Sequence, residues 1–195
     1  KGYARAQCSL GNCYRDGVGV EQSKPTSREW YNRAAAQDDE EAVENLKLFD
    51  LLEQKEKAEE EKNEPGEKKA KKEEPNKTYF DDNQEIEIKG TKDLKIVPWI
   101  DDAPKNAFTM TLNRLRQKVK KKKVWAIHEL GSRYEEGRGG VEESLEKAID
   151  YYKKGVILGS PRSMTTLGIM YEYGTRVDKN DKLAFEYYQM GALKG

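Results

Sequence analysis

The chain has 195 residues, 36 basic against 36 acidic, so its net charge is zero while 37% of its side chains are charged and only 35% are hydrophobic. With a mean hydropathy of −1.02 and no apolar run of about 18 residues, these residues hold no membrane-spanning helix. The charge balance also argues against a dedicated nucleic-acid binder.

The first element is legible in Ala6, Leu10 and Tyr14, which stand four residues apart and therefore share one face of a helix, helix A. Gly17 follows as the left-handed residue that closes it. Ser23 is placed to cap a second helix, helix B, carrying Trp30, Tyr31, Ala34 and Ala35. Cys8 and Cys13 point in different directions on helix A and read as packing thiols of a reducing compartment, with no bridge between them.

At Asp39 the pattern starts again with Ala42 and Leu46, but Lys47 and Asp50 stand where glycine and tyrosine stood, so this copy is degenerate. Its helix is expected to run on balanced charges through Glu61 and to stop before Pro65. Residues 63–105 then read as a charged, largely disordered insertion, because a glutamate and lysine run cannot offset its ordering entropy by burial. Within it, Asn76-Lys77-Thr78 is a glycosylation acceptor that matters only in the secretory pathway. Residues 85–97 alternate weakly, either as a short hairpin or, with Tyr79, Phe80, Trp99 and Ile100, as a sticky segment.

After Pro104, Asn106 is read as the cap of a helix carrying Phe108, Leu112, Leu115 and Val119. Two readings stand side by side. In one, residues 106–119 are the missing helix B of the copy begun at Asp39, which brings Leu115 to Leu46. In the other, a single helix continues unbroken to Ala126. The run Arg114, Arg116, Lys118 and Lys120 to Lys123 is read as a solvated face, against a nuclear import signal or a patch for an acidic partner.

Two further copies complete the chain. Leu130-Gly131, Tyr134 and Gly137 return 37 residues later as Leu167-Gly168, Tyr171 and Gly174, followed by Tyr151-Tyr152 and Tyr187-Tyr188 in the second halves. Ser144 and Asn180 match the cap position of Ser23. A period of this length means stacked supersecondary units. Gly11, Gly131 and Gly168 each cost about 1 kcal/mol inside a helix, which close helix approach by Ala34, Gly155 or Gly191 is expected to offset. In helix B the adjacent aromatics lie about 100° apart, one for its own helix A and one for the following repeat.

These residues resemble the Sel-1-like repeat, a pattern of Ala-xxx-Leu-Gly-xx-Tyr-xx-Gly, a valine loop, then Tyr-Tyr-xx-Ala-Ala. The match covers residues 2–38 and 124–195, with Arg176 in place of a loop glycine and Asp38 in place of the closing glycine seen at Gly159 and Gly195. The resemblance implies an all-α, right-handed superhelical solenoid of antiparallel helix pairs, akin to tetratricopeptide arrays, working as an adaptor. The layout expected is residues 1–62 for one repeat plus helix A of a degenerate one, 63–105 for the insertion, and 106–195 for a helix and repeats 124–159 and 160–195.

No phosphate loop, zinc-ligand spacing or Ser-His-Asp set is present, so an enzyme is not expected and no catalytic, metal or cofactor residue is singled out. The lone histidine, His128, is read as a surface residue. The expected partner is a protein or peptide on the concave face, where Ser132, Arg133, Ile169 and Met170 vary. Neither nucleic acid nor a small-molecule substrate is expected. The compartment stays open between cytoplasm, which is preferred, endoplasmic reticulum lumen and nucleus. A quality-control adaptor of the secretory pathway, or a regulatory module of a larger enzyme, is the alternative.

Overall fold

The computed structural model describes residues 2–63 and 103–193, and these form eight α-helices and no strand. In chain order they are α1 (Ala4–Asp16), α2 (Lys24–Ala35), α3 (Glu40–Asn63), α4 (Leu112–Lys120), α5 (Val124–Glu136), α6 (Leu145–Ile157), α7 (Pro161–Tyr173) and α8 (Asp181–Leu193). Residues 64–102, with the segment read as either a short hairpin or a sticky stretch and with the Asn76 acceptor, lie outside the described residues. The fold is an all-α solenoid whose complete pairs are α1–α2, α5–α6 and α7–α8.

Local chemistry accounts for the helix ends. Gly17, Gly137 and Gly174 close the three A helices at φ 75, 64 and 62°, left-handed values that glycine takes without a Cβ penalty. Ser23 and Ser144 accept from the amides of Thr26 and Lys147, and Asn180 Oδ1 accepts from Leu183 N at 3.0 Å. Where the repeat pattern departs from glycine, the backbone does not. Arg176 (φ 69°) and Asp38 (φ 62°) adopt the left-handed geometry themselves, as Gly19 and Gly159 do at the aligned positions.

The glycine notch is filled differently from expectation. A Cβ at Gly11, Gly131 or Gly168 would lie 2.6, 2.8 and 2.6 Å from the rings of Tyr31, Tyr152 and Tyr188. A tyrosine of helix B, not a small residue, therefore occupies each notch, because a flat ring covers more apolar surface than a methyl group. Its hydroxyl then reaches a polar residue of helix A: Tyr31 donates to Asn12, Tyr152 to Glu135 and Tyr188 to Glu172, each at 2.6 Å. The preceding aromatic stacks on the tyrosine of its own helix A, Tyr151 on Tyr134 at 5.6 Å and Tyr187 on Tyr171 at 5.8 Å.

The small residues of helix B instead set the distance to the next repeat. A Cβ on Gly155 would come within 2.2 Å of Ser163 Oγ, and one on Gly191 within 2.9 Å of Ala6 Cβ. The second contact joins α8 to α1, so the order in space is α4, α5, α6, α7, α8, α1, α2, α3. One backbone bond recurs at each step: Ser160 N donates to Gly155 O (2.9 Å), Tyr3 N to Gly191 O (3.4 Å) and Asp39 N to Ala34 O (3.4 Å). Helix α1 thus sits on α8 in the register of a consecutive repeat. Ala6, Leu10, Cys13 and Tyr14 form one cluster with Ala184, Tyr188 and Ala192.

This order corrects two expectations about the middle of the chain. Leu46 packs with Tyr31, Ala34 and Phe49, while Leu115 packs with Trp125, Ala126 and Leu130. Among the described residues the stack therefore begins with α4 and finishes with α3, and residues 106–119 do not complete the repeat of α3 within one chain. Nor is there one helix from Asn106 to Ala126. Residues 104–110 form turns (Ala107 N to Pro104 O, 2.8 Å), Thr111 stands at the N-terminal boundary of α4, and Lys122 at φ 52° breaks the chain before α5.

Candidate interaction surface

Neighbouring A helices α5, α7 and α1 present one continuous face, and a pocket of about 380 Å³ opens on it. Its walls come from all three: His128 on α5, Arg162, Thr165, Thr166 and Ile169 on α7, and Tyr3 and Arg5 at the start of α1. Arg5 and Arg162 hold the same position in their repeats, one residue before Ala6 and Ser163. The lining carries two guanidinium groups and no carboxylate.

Its threonine hydroxyls are committed inward. Thr165 donates to Pro161 O and Thr166 to Arg162 O, both at 2.9 Å. His128 Nε2 lies 3.2 Å from Thr166 Oγ1, and because that hydroxyl has already given its proton, the imidazole Nε2–H is the donor. The ring also sits 5.3 Å from that of Tyr152. His128 is therefore a half-buried tie between successive repeats and not a plain surface residue. What the pocket offers a ligand is positive charge, which suits a carboxylate.

Of the face residues named from sequence, Ile169 alone lines this pocket. Arg133 and Met170 are only 1% and 3% exposed. Both belong to the position of Cys13 and Phe49, which faces the preceding helix in every copy. At Arg133 that neighbour is the turn before α4, whose carbonyls need a donor. Arg133 Nη2 donates to Ala107 O (3.3 Å) and Phe108 O (3.1 Å), and its Nε pairs with Glu129 at 3.0 Å. Arg138 joins the same Glu129 at 2.9 Å and lies 4.0 Å over the Phe108 ring. Ser132 donates to Glu136 of its own helix at 3.1 Å.

Both cysteines are free and buried, on opposite sides of α1: Cys8 against Tyr31 and Ala42, Cys13 against Leu10 and Tyr188. Burial, reinforced by the nearby Glu41 carboxylate, pushes the Cys8 thiol up to about 12, and burial raises Cys13 as well. Neither is a thiolate at neutral pH, so neither is poised as a nucleophile. Among the described residues no three His, Cys, Asp or Glu side chains are grouped to hold a metal ion.

The basic run frames a second groove, of about 580 Å³, where Arg114, Lys118 and Lys123 stand over Met110 and Trp125. The Arg5 and Arg162 pair was open to sequence reading by aligning the two copies. The distance between the copies hid it, since α7 and α1 lie at opposite ends of the chain yet touch.

Comparison with known proteins agrees with the helix pairs. A Sel1 repeat model matches residues 4–39, 126–160 and 161–195. The F-box protein At1g70590 of Arabidopsis thaliana is 44% identical over 41 residues, which cover 21% of this chain and 12% of that protein. Among solved structures, a Sel1 repeat protein from Oxalobacter formigenes is similar over 100% of this chain and 59% of its own, at 18% identity and a TM-score of 0.40. The protective antigen c5321 of uropathogenic Escherichia coli, which displays an SLR fold, is similar over 98% of this chain and 30% of its own, at 17% identity and a TM-score of 0.38. The chain thus spans less than two thirds of each of these proteins. Matched by its repeat model three times over more than half of its residues, the chain belongs to the Sel1 repeat family.

Proposed function

We propose that the chain is a non-enzymatic adaptor that holds an acidic protein segment along its A-helix face, the expected concave side. One observation carries this reading. Three A helices, α1 from near one end of the sequence and α5 and α7 from the other, line one pocket that holds Arg5 and Arg162 and no carboxylate. Membership of a repeat family whose units serve protein interaction supports it, as do two thiols kept neutral by burial. A partner carboxylate that enters the pocket meets its positively charged lining in charge-assisted hydrogen bonds, while the array on either side supplies length for a peptide to lie on.

The test is titration of a fluorescent hexaglutamate peptide, and of partners captured from a matched lysate, against the native chain and Arg5→Glu with Arg162→Glu. Binding that falls at least tenfold in the double variant, at unchanged helicity, supports the pocket. Equal binding by both proteins overturns it.

A further inference from the structure

The two ends of the stack are complementary halves. Helix α3 is an A helix by register, with Ala42 and Leu46 where α1 has Ala6 and Leu10, yet among the described residues no helix B follows it in the stack. Its Leu48 aligns with Asn12, the residue that Tyr31 of helix B grips in the first pair. Leu48, Leu51 and Leu52 are accordingly 56%, 54% and 57% exposed, three large apolar side chains on the flank where a partner helix belongs. Helix α4 is the converse. Leu115 lies 37 residues before Tyr152 and packs on α5 as Tyr152 packs on α7, so α4 is a B helix, with no A helix before it among the described residues.

Charge separates the halves as clearly as register does. Residues 40–59 hold seven acidic against three basic side chains, whereas residues 112–123 hold seven basic and none acidic. Asp50, Glu53 and Glu56 are already paired with Arg28 and Lys24, but these are exposed surface pairs that rearrange at little cost. The residue of α4 aligned with Tyr151, the aromatic that stacks on its own A helix, is Arg114, and it is exposed.

We infer that a second copy of this chain covers the leucine flank: α3 of one molecule and α4 of the next form a composite repeat, and molecules join head to tail. Phe108 at 63% exposure, beside α4, supplies apolar surface for the leucines, and the basic run faces the acidic one. Different patches meet, so the contact is heterologous and leaves a free half at each end of every assembly. A two-helix seam lies near the lower end of stable interfaces, about 1,000 Å² in total, so association depends on concentration and weakens with salt.

Sedimentation velocity of the full chain over a concentration series reads this out. The expected result is a mass that rises in steps of one chain and falls back in high salt. Leu51→Glu with Leu52→Glu blocks one end, and Arg114→Glu with Arg116→Glu blocks the other. Each variant alone should be monomeric, and an equimolar mixture should give a dimer and stop there. All four sites are exposed, and far-UV circular dichroism confirms that each variant folds. Should the glutamates reduce helicity, Leu51→Gln with Leu52→Gln serves the same purpose. A native chain monomeric at every concentration overturns the inference and assigns the leucines to another cover. Assembly that survives the α4 reversals overturns it in favour of a symmetric α3 contact, and a mixture that stays monomeric overturns it as well.

Discussion

The α6–α7 junction and the α8–α1 junction are the same interface made in two ways. At the first, Ser160 connects the helices directly and its amide closes on Gly155 O. At the second, Tyr3 makes the matching bond to Gly191, and Gln7 Nε2 reaches Ala192 O across 185 positions of sequence. The register is therefore a property of the side chains, small residue against small residue and tyrosine over glycine, and the connecting peptide only follows. What the connection changes is entropy. Closing a loop of that length in place of a few residues costs about 3 kcal/mol more by chain statistics.

That difference is exposed most strongly by removing the tyrosines. Tyr152→Ala and Tyr188→Ala each take out a buried ring, an expected loss of about 3–5 kcal/mol. At Tyr152 the short link keeps α7 near α6, so unfolding in guanidinium stays one transition at a lower midpoint. At Tyr188 the dearer seam opens first. Trp30 on α2 and Trp125 on α5 report the two sides, so single-tryptophan versions should show separated transitions for Tyr188→Ala alone. Coincident transitions in both would mean that the connection is irrelevant.

A finer comparison uses the two small contacts. Alanine at Gly155 meets Ser163 Oγ at 2.2 Å and Ser163 Cβ at 2.8 Å, and while the hydroxyl can rotate away, the Cβ moves only with the backbone of α7. Alanine at Gly191 meets Ala6 Cβ, which moves only with the backbone of α1. Gly191→Ala should therefore destabilise by about 1–3 kcal/mol. Gly155→Ala should cost a similar amount, since the same gain in helix propensity, about 1 kcal/mol, is set against an equally close Cβ contact. A cost at Gly191 well below that at Gly155 in chemical denaturation would show that the seam yields more easily than the covalent junction. Ser144→Ala and Asn180→Ala, which remove equivalent caps, should each cost about 1 kcal/mol and so calibrate the pair.

Sequence reading went as far as chemistry is local. The three helix pairs, the glycine ends at Gly17, Gly137 and Gly174 and the caps at Ser23, Ser144 and Asn180 depend on neighbours within a few residues. The stacking order was not legible, because every junction carries the same signature and Ala6 fits Gly191 as Ser163 fits Gly155. Arg133 misled for a related reason. A position that is apolar in the other copies became an arginine where its neighbour is a turn of bare carbonyls, which spacing alone cannot reveal. The Arg5 and Arg162 pair was visible as aligned letters but became a site only once α1 lay beside α7.

Alkaline destabilisation between pH 9 and 10 also tells the two junctions apart. Cys8 and Cys13 lie on opposite sides of α1, and the α6–α7 junction has no thiol. In the unfolded chain a thiol loses its proton near its ordinary 9.0, but burial holds Cys8 protonated up to about 12 and raises Cys13 too. The native state then binds more protons than the unfolded one, so stability falls as pH rises. The contribution is complete below pH 9 and fades upward through pH 12. Tyrosines join later, since Tyr14 and Tyr31 move from 10.0 to about 12. In the Tyr188→Ala chain, where the two transitions separate, the one reported by Trp30 should therefore decline below pH 10 while that of Trp125 holds. Cys8→Ala with Cys13→Ala should flatten the Trp30 curve to pH 10, and a decline that persists without the thiols would move the cause to the seam's tyrosines.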